Sequence, residues 1–284
     1  MKHIFHIYHP TVIFLYLVLA LGGAMLTLHP VYLLLSFVVG SVYAVYLRGW
    51  RSYLMQFRFL LPVLVVVAVA NPLFNHRGMT VLFYFLENPI TLEATLYGLC
   101  TGLMLCCVFI WFSCYQVLMT NEKFLYLFGR IVPTIALMIS MILKLIPQTQ
   151  YKARCVANAQ TAMGMGIGQG KKREGIKRGI RMTSILMGWS MEDSIETADS
   201  MRARGYGAAK RTSYSPFRIQ VHDVVALAML LVLGTMSVWG ILGETFSFYP
   251  KLSQIGLRPV AYGSYLLLLA YPLLLEGKEW LAWR

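Results

Sequence analysis

Long apolar runs constrain this chain more than any other feature. They lie at about 11–28, 31–47, 57–74, 90–119, 124–146, 221–242 and 259–275. A helix rises about 1.5 Å per residue, so about 20 apolar residues cross a hydrocarbon core of about 30 Å. Several of the runs reach that length, which points to an all-α, polytopic membrane protein and excludes an ordinary soluble domain. Composition agrees: hydrophobic residues make up 58% of the 284 and charged ones only 13%, against about 25% charged in soluble domains, and mean hydropathy is +0.62. The first run has no leading cluster of positive charge and no small-residue cleavage site before the next span. It therefore reads as a retained helix, not a signal peptide.

Net charge is +13, which in a soluble chain would suggest nucleic acid. Its distribution argues otherwise. Between Pro147 and Arg218 there are 13 Lys and Arg against five Asp and Glu, so this one segment holds +8 of the total. A short basic stretch beside a span is retained in the cytoplasm. If all seven runs crossed, this segment and the basic linker bearing Arg48, Arg51 and Arg58 would fall on opposite sides. Removing the run 124–146, which Gly129 and Pro133 divide, restores agreement. From Pro133 to Ile146 is only 14 residues, too short to cross, so this part is expected to lie on the cytoplasmic face. Six spans remain, with both termini, 48–58 and 120–218 inside and with 75–89 and 243–258 outside. The outside loops carry only Arg77, Lys251 and Arg258 as basic residues. The expected organisation is N-terminal membrane helices (1–119), a cytoplasmic or interfacial domain (120–218) and C-terminal membrane helices (219–284).

Small residues repeat every four positions at Ala94, Gly98, Gly102 and Cys106, and again at Ser36, Gly40 and Ala44. Such stripes let helix backbones approach in lipid, either within the chain or against another membrane protein. In the basic segment, 148–163 has no internal proline or glycine and ends at Gly164. That predicts a helix closed by a left-handed glycine after a break at Pro147. Gly164, Gly166, Gly168 and Gly170 followed by Lys171, Lys172 and Arg173 read as a flexible basic connector. A second helix is expected from Ser190, with Asp193 completing a capping box and Gly205 ending it; the alternative is a helix running on from Ile176 through Gly188. Acids at Glu192, Asp193 and Glu196 and basic Arg202 and Arg204 suit its dipole.

The stretch Ala198-Asp199-Ser200-Met201-Arg202-Ala203-Arg204-Gly205-Tyr206-Gly207 resembles the second Ala-Arg-Gly motif of the transmembrane T components (EcfT/CbiQ-like) of energy-coupling factor importers. Ala136-Leu137-Met138-Ile139-Ser140, leading to Lys144-Leu145-Ile146-Pro147, is similar to the same family. Ala159-Gln160-Thr161-Ala162-Met163-Gly164 stands where the family has its first Ala-Arg-Gly. The resemblance covers about Glu93 to Asp223. It implies two cytoplasmic coupling helices that insert into grooves on two ATPase subunits, and a small membrane-embedded S component that captures a vitamin or metal ion. Arg204, flanked by Ala203 and Gly205, matches the family's docking arginine. In Ala162, Met163 and Gly164 the first motif lacks that charge, which leaves two alternatives: Met163 supplies an apolar contact instead, or Arg154, two to three turns earlier, partly compensates.

Other motifs fail. A phosphate loop needs Gly five places before Gly170 and Ser or Thr after Lys171, where this chain has Met165 and Lys172. Four of the five cysteines, Cys100, Cys106, Cys107 and Cys114, share one predicted span and suit apolar packing; the fifth is Cys155. His3, His6 and His9 recur every three residues with no nearby carboxylate, which favours an interfacial role over metal binding. Glu93 fits a helix first turn and Asn71 with Pro72 a kink or helix end. Ionisable groups deep in the spans are scarce, unlike in ion-coupled carriers. The expectation is a multi-pass protein of a prokaryotic cell membrane that couples partner ATPases to uptake. It would have no catalytic residue, no metal or cofactor and no nucleic-acid partner. The alternative is a membrane enzyme holding an anionic lipid or nucleotide-linked substrate on the basic segment.

Overall fold

A computed structural model describes residues 8–75, 78–85, 88–129, 131–164, 172–209, 217, 219–243, 246–249, 253, 256 and 258–282. They divide between two compact units, Met1–Phe124 with Phe217–Arg284, and Leu125–Pro216.

In the first unit, α1 (Pro10–Leu26) and α2 (Pro30–Arg48) both start on proline, whose missing N–H is one the helix end would leave unpaired. A histidine caps each. The His9 imidazole accepts from the Thr11 N–H at 3.4 Å and the His29 imidazole from the Val31 N–H at 3.3 Å. Gly49, at φ +82°, makes the bend that lets α3 (Trp50–Phe74) begin one residue later. The expected basic linker is therefore largely helix, with Arg51 and Arg58 on the early turns of α3. The loop after α3, expected outside, has structure of its own. Its Val81–Phe85 (β1) pairs antiparallel with Asn88–Thr91 (β2), and Thr91 then caps α4 (Leu92–Leu118), accepting from the Ala94 N–H at 3.4 Å. Valine, phenylalanine and tyrosine suit a strand, and this small hairpin is the β-structure among the described residues.

Beyond α5 (Asn121–Gly129) and the second unit, α8 (Val221–Leu242) and α9 (Pro259–Ala282) complete the membrane helices. Five helices are long and apolar enough to cross a bilayer among the described residues: α2, α3, α4, α8 and the Pro259–Gly277 part of α9. The sixth expected span, α1, has 17 residues, the lower end of the spanning range. The core forms around Trp111, fully buried, whose indole N–H donates to Ser36 Oγ at 2.9 Å. Tyr16, also fully buried, donates its hydroxyl to the Leu269 carbonyl at 2.9 Å and so ties α1 to α9.

Both small-residue stripes pack inside the chain. A Cβ on Gly98 would lie 3.0 Å from the Ala68 carbonyl, one on Gly102 3.2 Å from that of Leu64, and one on Gly40 3.3 Å from Trp111. Of the expected histidine row, His3 and His6 lie outside the described residues, as do Arg77 and Lys251. His9 is buried, and its backbone N–H donates to Asp223 Oδ1 at 3.0 Å. Asp223 also accepts from the Gln220 N–H at 2.9 Å, so one carboxylate joins the starts of α1 and α8. Burial lowers the His9 pKa, and Asp223 opposes that shift. Glu93 occupies the first turn of α4 as expected, accepting from the Thr80 N–H at 3.3 Å. Glu276, 4% exposed on α9, meets the Tyr46 hydroxyl, a buried contact that no sequence pattern announces.

Two helices make up most of the second unit. The first, α6 (Pro133–Ala162), is continuous through Pro147, where a break was expected. An internal proline deletes one backbone hydrogen bond and crowds the preceding turn. Contacts made by Gln148 and Lys152 to the next helix, just beyond the proline, hold the continuation in place. That helix, α7 (Lys172–Ala203), corrects the second expectation. Ser190 is interior, its carbonyl accepting from Ser194 Oγ at 2.6 Å, so it caps nothing and the run-on alternative is the one adopted. The glycine-rich stretch 165–171 lies outside the described residues.

Candidate partner-docking site

The two candidate motifs occupy equivalent stereochemical positions. In α7, Arg204 follows the last helical residue and Gly205 turns left-handed at φ +81°. The Tyr206 N–H donates to the Met201 carbonyl at 3.0 Å and the Gly205 N–H to that of Arg202 at 2.9 Å. This pair of bonds satisfies carbonyls that the helix end would leave open. In α6, Met163 is the cap and Gly164 turns at φ +74°. Its N–H donates to the Thr161 carbonyl at 3.0 Å, the corresponding inner bond. A Cβ on either glycine would meet nothing within 4 Å, so only the backbone conformation demands glycine there.

All six motif residues, Ala162, Met163, Gly164, Ala203, Arg204 and Gly205, are exposed. Met163, 63% exposed, and Tyr206, 50% exposed, add apolar surface at the two tips. Arg204 stands at the carbonyl-rich end of its helix, where a cation is electrostatically favoured. Each tip thus presents an unhindered backbone corner behind one long side chain, charged at α7 and apolar at α6.

The structure does not bring the tips together. Lys152 of α6 pairs with Asp193 of α7, while Met163 and Arg178 line one cleft, so the helices run antiparallel. Arg204 follows Arg178 by 26 residues of α7, which places the tips about 40 Å apart along that helix. Arg154 is exposed but precedes Met163 by nine residues, about 14 Å of helix, so it does not share that tip.

The sequence reading missed what holds the crossing. Lys152 donates to Asp193, Gln148 Nε2 lies 3.5 Å from the same carboxylate, and the Lys152 ammonium lies 5.6 Å from the Trp189 ring centre. Asp193 is therefore an interhelical anchor and not the third residue of a capping box. Opposite charges on two consecutive helices were the available signal, but pairing residues 41 apart requires the antiparallel crossing to be known.

The chain is similar to the energy-coupling factor transporter transmembrane protein EcfT of Listeria innocua, with 26% identity over 224 residues, 68% of this chain and 84% of that protein. It is 32% identical over 101 residues to the EcfT of Streptococcus equi, covering 35% of this chain and 38% of the relative. The EcfT of Bacillus selenitireducens is 34% identical over 115 residues, 39% of this chain and 43% of that protein. No family model matches.

Proposed function

We propose that this EcfT-like membrane protein is the coupling (T) component of an energy-coupling factor importer, joining ATP hydrolysis by partner subunits to uptake of a vitamin or metal ion through an S component. The observation that carries the reading is the pair of exposed, glycine-closed helix tips on one antiparallel crossing, about 40 Å apart. One crossing with two separated tips suits two separate grooves, one on each of two ATPase subunits. Different side chains at the tips, Met163 and Arg204, suit two grooves of different chemistry. Similarity to proteins named EcfT supports the same role.

In this reading 120–218 is the cytoplasmic or interfacial coupling domain and both termini are cytoplasmic. Closure of the ATPases on nucleotide moves the two tips, and α6 and α7 carry the displacement to the membrane helices. Those helices then reorient or release the S component. The chain binds and transmits, while ATP cleavage and substrate capture belong to its partners.

Copurification of tagged wild-type chain and Arg204→Glu from native membranes tests this role. The expected result is recovery of ATPase subunits and a small hydrophobic protein with wild type, and loss of the ATPases with the variant while membrane insertion persists. A chain that purifies alone in both cases, under conditions that preserve a known assembly, overturns the proposal. Recovery of ATPases with Arg204→Glu at the wild-type level removes Arg204 from the docking role.

A further inference from the structure

Ile185, Trp189 and Asp193 of α7 face α6. Successive helix residues turn by about 100°, so Ile176, Ile180, Met187 and Met191 fall within about 60° of one another on the opposite face, with Ile195 at its border. Each of the five is at least 65% exposed. This apolar stripe runs about 29 Å along the helix. Neither the motif tips nor the crossing with α6 uses it.

Charge along one border of the stripe reverses midway. Exposed Lys177 and Arg181 stand beside its first half, and exposed Glu192 and Asp199 stand on the same side beside its second. Among the described residues none of the four forms an ion pair. A partner for this face must be apolar along its centre, acidic where α7 begins and basic where it ends. The same helix running the other way meets that demand. A parallel copy would set like charges together, and an anionic membrane surface would repel the acidic half. We propose that α7 pairs antiparallel with α7 of a second copy of this chain, about a two-fold axis at Met187. Such an interface is complementary to itself, residue i meeting j as j meets i. With the axis at Met187, Arg181 of one copy comes level with position 193 of the other, one residue from Glu192, and Lys177 comes level with 197, two residues from Asp199. Each residue is only about 1.5 Å of rise, so both long cations reach their acids. Ile180 then meets 194 and 195, and Ile176 meets Ala198. Gly188, beside the axis, lets the two backbones approach, since a Cβ there meets nothing within 4 Å in the single chain. The tips at Met163 and Arg204 lie outside the paired face.

Mass measurement of the purified full-length chain in detergent, without ATPases, tests the pairing through charge reversal. Wild type is expected at twice the chain mass of 32.2 kDa. Lys177→Glu with Arg181→Glu, and separately Glu192→Lys with Asp199→Lys, set like charges across the axis and weaken dimerisation at least about tenfold. Mixing the two variants restores the dimer, because each then offers the charge the other lacks, and that recovery shows both to be folded. In membranes, Met187→Cys in a Cys155→Ser background is expected to form a disulfide between two copies on mild oxidation, with the same dependence on charge reversal. Glu196→Cys, on the opposite face, is expected not to. Should the charge variants fail to fold, the Met187→Cys and Glu196→Cys comparison decides. Monomers in every sample with no Met187→Cys cross-link overturn the proposal, as does a dimer indifferent to both charge reversals. If wild type is monomeric and Met187→Lys loses a copurifying membrane protein, the stripe docks a different protein and the self-pairing is wrong. Arg204 takes no part in these contacts, so the outcome is independent of the Arg204→Glu copurification.

Discussion

Arg204 and Met163 sit at the same place on their helices and offer a partner different physics. A charged contact weakens as salt screens it, whereas apolar contact does not. Raising salt from about 0.1 to 1 M, which shortens the Debye length from about 10 to 3 Å, is therefore expected to release the Arg204 end of a docked partner first. Met163→Ala should reduce binding equally at both salts, and surface-immobilised binding of purified ATPases reads the difference. Gly205, at φ +81°, carries a separate cost. Gly205→Ala is expected to destabilise the end of α7 by about 1 kcal/mol and Gly205→Asn by less, measured as hydrogen exchange at 200–206. Lys123 gives a pH signature. It is 3% exposed, it donates to the Leu118 carbonyl at 3.3 Å, and burial lowers its pKa from 10.5 to about 8. Below pH 8 the lysine is charged in both folded and unfolded chain, and the burial penalty is present in full. Between about 8 and 10.5 only the unfolded chain holds the proton, so stability contributed by this group rises with pH. Thermal unfolding in detergent should show that rise in wild type relative to Lys123→Met, and parallel curves would refute it. The glycine caps were legible from sequence because a helix needs a left-handed residue to turn. Lys123 was not, because burial depends on what the rest of the chain places over it.

The α6–α7 crossing is the element on which the proposed function depends, and its contacts are modest. Lys152 and Asp193 are 26% and 28% exposed, so solvent screens their attraction. A double-mutant cycle with Lys152→Met and Asp193→Asn should return a coupling of about 0.5–1 kcal/mol, read as the midpoint of denaturant unfolding. A value near zero would leave the Trp189 contact as the main tie. The helix limits show where sequence rules competed. Ser190 followed by Asp193 has the form of a capping box, yet the helix was already under way from Lys172. A cap adds about 1 kcal/mol and helix continuation retains every backbone bond through that region, so continuation won. Pro147 misled in the same direction, because one missing bond within a 30-residue helix does not outweigh the bonds on either side. The hairpin β1–β2 escaped notice because a short apolar stretch between spans has too few residues to show a period.

Across the whole molecule, helix contacts depend on small residues, as between α3 and α4, where Gly98 and Gly102 approach the carbonyls of Ala68 and Leu64. Gly98→Leu is expected to force these helices apart at a cost of about 1–3 kcal/mol, seen as a lower detergent unfolding temperature and poorer recovery from membranes. A leucine at Gly22, where a Cβ meets nothing within 4 Å, should change little and serves as the control. The stripes were visible as a four-residue repeat, but whether they face this chain or a partner was not. Spacing along one helix is the same in both cases, and only the position of α3 distinguishes them.

The sequence by itself determined that this chain lives in a bilayer, roughly where its membrane helices run, and that two helices end in glycine at Gly164 and Gly205. Those properties follow from local rules: apolar length, charge bias and the conformations open to glycine. The tertiary structure alone decided that α6 and α7 cross antiparallel through Lys152 and Asp193, with tips about 40 Å apart. It also decided which ionisable side chains are buried, Glu276 and Lys123 among them. Such facts depend on contacts between residues far apart in the chain, and no periodicity along one helix encodes which neighbour it meets.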